Sequence, residues 1–111
     1  MELTMNVNVT KTESVYGDSF DMVFTASTGE EFVSPKLTKS NEVGALPVIV
    51  KEFYKFMVEL QRKYKGTIDK VDLIIDFPTL SLSDGAKSFF IIEHKDYAIF
   101  KSVTINNEQL L

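Results

Sequence analysis

The sequence contains no cysteine, no tryptophan and a single histidine, His94. The absence of cysteine excludes a disulfide framework and thiolate chemistry, a pattern that fits a reducing cytoplasm. One histidine excludes a multi-His metal site and a clustered pH switch. The five glycines stand singly, so no glycine-rich phosphate loop is formed. Long apolar runs are missing too: the longest uncharged one, 43–50, falls far short of the ~20 residues a membrane-spanning helix needs. The first ten residues have neither a basic start nor an apolar stretch, so no signal peptide is expected. Positive charge is scarce. Twelve Lys and Arg against sixteen Asp and Glu leave a net charge of −4, which disfavours nonspecific grip on nucleic acid or an anionic membrane.

What remains is a chain of 111 residues with 44% hydrophobic side chains and nine phenylalanines, enough for one domain, 1–111, to bury a core without staples. The dominant stretch is 46–64, LPVIVKEFYKFMVELQRKY. At about 100° per residue, Leu46, Ile49, Val50, Phe53, Phe56, Met57, Leu60 and Tyr64 share one broad arc, which predicts an amphipathic helix buried along that side. Pro47 belongs in a first turn, placing the start near 44–46, and Gly66 suits the C-terminal cap. Glu59 stands four residues before Lys63, the favourable order for a helical ion pair. Lys51, Lys55, Arg62 and Lys65 line the opposite side. Charge is unevenly spread: residues 1–50 hold three basic and seven acidic side chains, 51–70 six and three, and 71–111 three and six. The helix is thus the one cationic element of an acidic molecule.

Strands lie on both sides of it. Leu3, Met5, Val7 and Val9 alternate with polar residues, and Phe20, Met22, Phe24 and Ala26 alternate with Asp21, Val23 and Thr25, with a turn region at 11–19 between them. A two-residue turn at Thr28-Gly29 leads into 31–38 and sets Phe24 opposite Val33; Pro35 makes this third strand an edge. After the helix, Val71, Leu73, Ile75 and Phe77 alternate as a fourth strand. The long loop 78–87 follows, then strands at 88–94 and 97–105, and a frayed tail. The expected fold is α+β: a mainly antiparallel sheet of about six strands in the order βββ-α-βββ, with one amphipathic helix on one face. In the last two strands apolar residues point both ways: Phe89 and Ile91 against Phe90 and Ile92, then Ile99, Val103 and Ile105 against Ala98 and Phe100. One helix covers one face, so a homodimer or another partner is expected to close the second.

Three function classes compete. Asp72 and Asp76 on one strand and Glu93-x-Lys95 at the end of another offer two carboxylates and a lysine, a set able to hold Mg²⁺ and position water against a phosphodiester. Over about 25 residues, with Asp76, Glu93 and Lys95 as the catalytic candidates, this resembles the PD-(D/E)xK nuclease pattern. It departs from that pattern in having Val71 or Ile75 before the Asp and a strand after Lys95. A second class is a single-stranded nucleic-acid-binding domain. There Phe89, Phe90, Tyr97 and Phe100 would stack bases, and Lys51, Lys55, Arg62 and Lys65 would meet phosphates.

The leading class is a small, acidic, non-enzymatic protein–protein interaction module that binds no cofactor and no metal. Its size and composition associate it with mobile-element (phage-type) accessory or inhibitor proteins. Glu13, Asp18, Asp21, Glu30 and Glu31 gather around the first two turns and would present a negative surface to a basic protein partner.

Overall fold

The computed structural model describes residues 1–38, 41–81 and 99–110. Seven strands and one helix follow in the order β1 (Glu2–Thr12), β2 (Ser19–Ala26), β3 (Glu31–Val33), β4 (Leu37–Thr38), α1 (Glu42–Lys63), β5 (Lys70–Asp76), β6 (Phe100–Ile105) and β7 (Glu108–Gln109). The fold is α+β, as the alternation and the single helical arc predict. The expected strand at 88–94 lies outside the described residues.

The sheet order is β3-β2-β1-β5-β6-β7, with β4 also pairing β2. Four of these pairings are antiparallel, but β1–β5 and β5–β6 are parallel, so the sheet is mixed. Register puts every apolar alternation on one side. Leu3 lies beside Val71, Met5 between Ala26 and Leu73, and Val7 between Phe24 and Ile75. Leu73 and Ile75 pair in turn with Val103 and Ile105. All are buried.

α1 lies over this face with Ala45, Leu46, Ile49, Val50, Phe53, Phe56, Met57 and Leu60 buried. Phe56 meets Phe24 edge-on at 5.0 Å and stacks on Phe32 at 4.6 Å, while Phe53 stacks on Phe100 at 5.2 Å. A second aromatic pair, Phe20 and Phe77 at 5.6 Å, closes the far end. The other face of the sheet is mostly polar: Thr4, Asn6, Asn8, Thr10, Asp21, Thr25, Asp72, Asp76, Ser102 and Thr104, with Val23, Val33 and Ile74 among them.

Several expectations are corrected. The β2–β3 loop has three residues, Ser27-Thr28-Gly29, closed by the Ala26 N–H on the Glu30 carbonyl at 2.8 Å, and Gly29 takes φ +106°. Register therefore shifts by one: Phe24 faces Phe32, and Val33 is 67% exposed. The expected third strand is broken at 34–36, where Pro35 has no N–H to donate, into β3 at the sheet's edge and β4. A β-bulge sets Val71 and Asp72 against Phe100 and Ser102. The extra residue, Lys101, flips side-chain parity, so Phe100 joins Val103 and Ile105 in the core instead of opposing them. Phe100 is thereby removed from the expected apolar second face, and Phe90, Ile92 and Ala98 lie outside the described residues. Contrary to the expected fraying, the tail through Leu110 is tied to β6, the Leu110 N–H donating to the Val103 carbonyl at 2.8 Å. Asn106 and Asn107, at φ 48° and 66°, form a tight turn into β7, the conformation a two-residue hairpin needs.

The helix begins earlier than expected. Asn41 caps it, accepting the Gly44 N–H at 2.8 Å, and Pro47 falls in the second turn. At its end Lys65 and Gly66 both take positive φ, and the Gly66 N–H reaches the Gln61 carbonyl.

Candidate protein-binding surface

The β1–β2 hairpin ends in a turn whose corners are apolar. Val15 and Tyr16 are each 94% exposed, the two most exposed large hydrophobic side chains among the described residues. The turn is held from within. The Ser14 hydroxyl accepts the Tyr16 N–H at 3.2 Å and donates to the Gly17 carbonyl at 2.8 Å, and the Gly17 N–H returns to the Ser14 carbonyl at 3.1 Å. Gly17 sits at φ +116°, a conformation L side chains rarely adopt. A tip fixed this way loses little backbone freedom when it docks.

Acidic groups flank the tip and tie it to the helix. Lys11 at the end of β1 lies 3.5 Å from Glu13, 3.5 Å from Asp18 and 2.7 Å from Glu42 in the first helical turn. The Glu42 hydrogen bond, reinforced by Asp18, raises the Lys11 pKa well above its ordinary value, and Lys11 in turn lowers that of Glu42. Glu13, 78% exposed beyond its contact with Lys11, forms the outer acidic edge of the turn.

The other end of β2 carries a second ionic cluster. Glu30 accepts from Lys63 Nζ at 2.8 Å, from the Tyr64 hydroxyl at 2.5 Å and from Thr28. Lys63 first, then Thr28 and Tyr64, hold the Glu30 carboxyl down at about 2. Lys63, expected to pair with Glu59, is thus drawn to the β2–β3 loop instead.

The five acidic candidates therefore do not form one patch. Glu13 and Asp18 belong to the tip. Asp21 lies on the polar sheet face opposite Thr10. Glu30 is engaged by the helix end, and Glu31 is exposed at the edge strand, roughly 25 Å from the tip along β2.

Lys51, Lys55 and Arg62 are exposed on the outer helix surface and Lys65 is exposed in the turn just past the helix end, with Lys55 3.8 Å from Glu52. Beside this stripe the helix flank contributes Tyr54, Met57, Val58, Gln61 and Arg62 to the wall of a cleft of about 430 Å³. Val58 is 53% exposed there. On the helical net its neighbours at three and four residues are Tyr54, Lys55, Gln61 and Arg62, so an apolar floor lies inside a cationic rim.

The catalytic candidates are separated or undescribed. Asp76 is exposed at the last residue of β5, beside Asn8; Asp72 accepts from the Ser102 hydroxyl at 2.6 Å. Glu93, Lys95 and His94 lie outside the described residues, as do Phe89, Phe90 and Tyr97. Among the described residues no group of three or more His, Cys, Asp or Glu is placed to hold a metal ion, and no helix is long and apolar enough to cross a membrane. Phe100 is no stacking platform: it is buried under Phe53 and 6.0 Å from Tyr54.

Sequence reasoning missed Val15, Tyr16 and the flank of Tyr54 and Val58. Two adjacent apolar residues inside a turn region, and two lying off the helix's buried arc, are the signals that would have found them.

The class this geometry defines is a one-helix, mixed-sheet α+β domain carrying an apolar-acidic hairpin tip. No family model matches the chain, and no curated protein matches it. Among solved structures the chain is similar to the Argonaute of Marinitoga piezophila, solved in complex with a 5′-OH guide RNA and target DNA, at 15% identity and a TM-score of 0.55. That alignment covers 94% of this chain and 15% of the Argonaute chain. At that identity the likeness is one of fold.

Proposed function

We propose that this chain is a non-enzymatic protein-interaction module that engages its partner through the β1–β2 hairpin tip. The observation that carries the reading is the pair Val15 and Tyr16, fully presented to solvent on a turn braced by Ser14 and Gly17 and edged by Glu13. Exposed aromatic and aliphatic side chains on a rigid turn supply anchor area at low entropic cost, and a charged rim steers the approach. The partner surface that fits is an apolar pocket with basic edges. In an accessory or inhibitor role within the cytoplasm, the tip would occupy such a site on another protein.

The test is a photo-crosslinking amino acid at position 16, compared with the same group at Asn8 on the polar sheet face. Discrete adducts from position 16 that disappear on Glu13→Arg support the reading. Identical adducts from both positions refute it.

A second reading, binding of single-stranded nucleic acid, is favoured by one observation, the exposed row of Lys51, Lys55, Arg62 and Lys65. It requires salt-sensitive retention of an oligonucleotide that weakens when Lys51 and Arg62 are neutralised.

A further inference from the structure

The tip and the helix flank are complementary in kind. The tip presents two apolar side chains with acidic groups beside them, Glu13 at 78% and Asp18 at 27% exposure. The flank presents Val58, 53% exposed, and half-buried Tyr54 along a cleft of about 430 Å³ with Arg62 in its wall, and Lys55 lies on the next row of the helix.

The two surfaces cannot meet within one chain. The tip is anchored at the helix start through Lys11 and Glu42, while from Glu42 to Val58 the axis rises about 24 Å. The far end of the helix is fixed to the opposite end of β2 through Lys63 and Glu30. The tip and the flank are therefore held apart along the helix. In a pair related by a two-fold axis each tip would meet the other copy's flank. Such a closed, self-complementary pair leaves no unused tip or flank.

We propose that the partner of the hairpin tip is a second copy of this chain, with Val15 and Tyr16 of each protomer seated against Tyr54 and Val58 of the other and Glu13 facing Arg62. The inference rests on the reading of the tip as the binding surface and goes further by naming its occupant. Charge complementarity selects it: the helix flank is the cationic region of a molecule whose net charge is −4, and the tip's exposed edge is anionic. The contact is also apolar at its centre and charged at its rim, the usual anatomy of a protein–protein interface.

The experiment is solution mass by light scattering over a hundredfold concentration range on the whole chain. Wild type shifts from 12.6 kDa to twice that value. Tyr16→Ser and Val58→Glu each weaken the dimer by roughly thirtyfold or more, the loss expected of a central anchor. Glu13→Arg alone and Arg62→Glu alone also weaken it, because each places like charges together in both contacts. The double variant Glu13→Arg/Arg62→Glu restores the pairing in both contacts and returns the dimer. Glu13 and Arg62 are exposed, and unchanged melting temperatures of the dilute single variants confirm that they fold.

A wild type that stays at monomer mass overturns the proposal, as does a dimer indifferent to Tyr16→Ser and Val58→Glu, or a double variant no better than the singles. If the pure chain remains monomeric while position 16 still gives discrete adducts with other proteins, the second-copy inference fails and the tip reading survives. If no adducts form either, both fail.

Discussion

Replacing Pro47 with alanine should stabilise the protein. Proline in a helix interior costs about 3 kcal/mol relative to alanine, because it lacks an N–H and its ring presses on the carbonyl four residues back. Here the helix begins at Glu42 behind the Asn41 cap, so the carbonyl left without its donor is that of Val43. Pro47 lies only just past the tolerant first turn, which reduces the cost, and we expect a gain of about 1–2 kcal/mol. Its side chain is exposed, so truncation opens no cavity in the core. With an unfolding entropy near 2.1 cal/mol/K per residue, a chain of this length should gain roughly 4–9 °C in Tm. The assay is calorimetry at a fixed low concentration, so that self-association does not contribute. Pro47→Gly should fall about 1 kcal/mol short of Pro47→Ala. An alanine variant melting at or below wild type would refute the placement of Pro47 in the second turn.

Phe53→Ala should destabilise by about 3–5 kcal/mol, since Phe53 is fully buried and stacked on Phe100; urea unfolding measures it. The Glu30 carboxyl is depressed from 4.5 to about 2 by Lys63, Thr28 and Tyr64, so its contribution is complete above pH about 4.5 and is lost as pH falls toward 2. Wild type should therefore exceed Glu30→Gln in urea midpoint at pH 7, with the gap closing across that acidic window. Asn106 binds the Phe77 N–H and carbonyl at 2.8 and 2.7 Å and takes φ 48°. Asn106→Ala should cost about 2–3 kcal/mol and Asn106→Gly about 1 kcal/mol less, because glycine accepts the left-handed backbone; thermal melts distinguish the two.

The parts of the fold legible in the sequence are those written in side-chain period. Leu3 to Val9, Phe20 to Ala26 and Val71 to Ile75 alternate because one face is buried, and the arc from Leu46 to Leu60 follows the helical turn. Period reveals which face a residue takes but not which strand lies beside it. Nothing in Val71, Leu73 and Ile75 says that they run parallel to Leu3, Met5 and Val7, so the mixed character of the sheet was hidden. A single inserted residue was equally invisible. The bulge at Phe100 reversed the parity of its strand, and the three-residue turn at Thr28 moved Phe32, not Val33, onto Phe56. For the candidate site, acidic residues near a turn were visible, but their separation along β2 was a matter of three dimensions. Val15 and Tyr16 carry no periodic signal, since two adjacent apolar residues in a turn fit neither the strand nor the helix period.

β1, at the middle of the sheet, precedes its neighbours β2 and β5 in the chain. β1 pairs with β2 within a short hairpin, yet its other neighbour, β5, joins it through partners such as Leu3 and Val71, far apart in the chain. Closing so long a loop is slow compared with hairpin or helix formation. During synthesis the hairpin and helix exist while one whole edge of β1 has no partner, an open template for any extended chain nearby. The finished sheet is different: the outer described positions are held by β3 and β7, of three and two residues, too short to recruit another strand. The interval before β5 is translated is therefore when this protein is most exposed to misassembly, and a message truncated just after the helix would leave that edge permanently open.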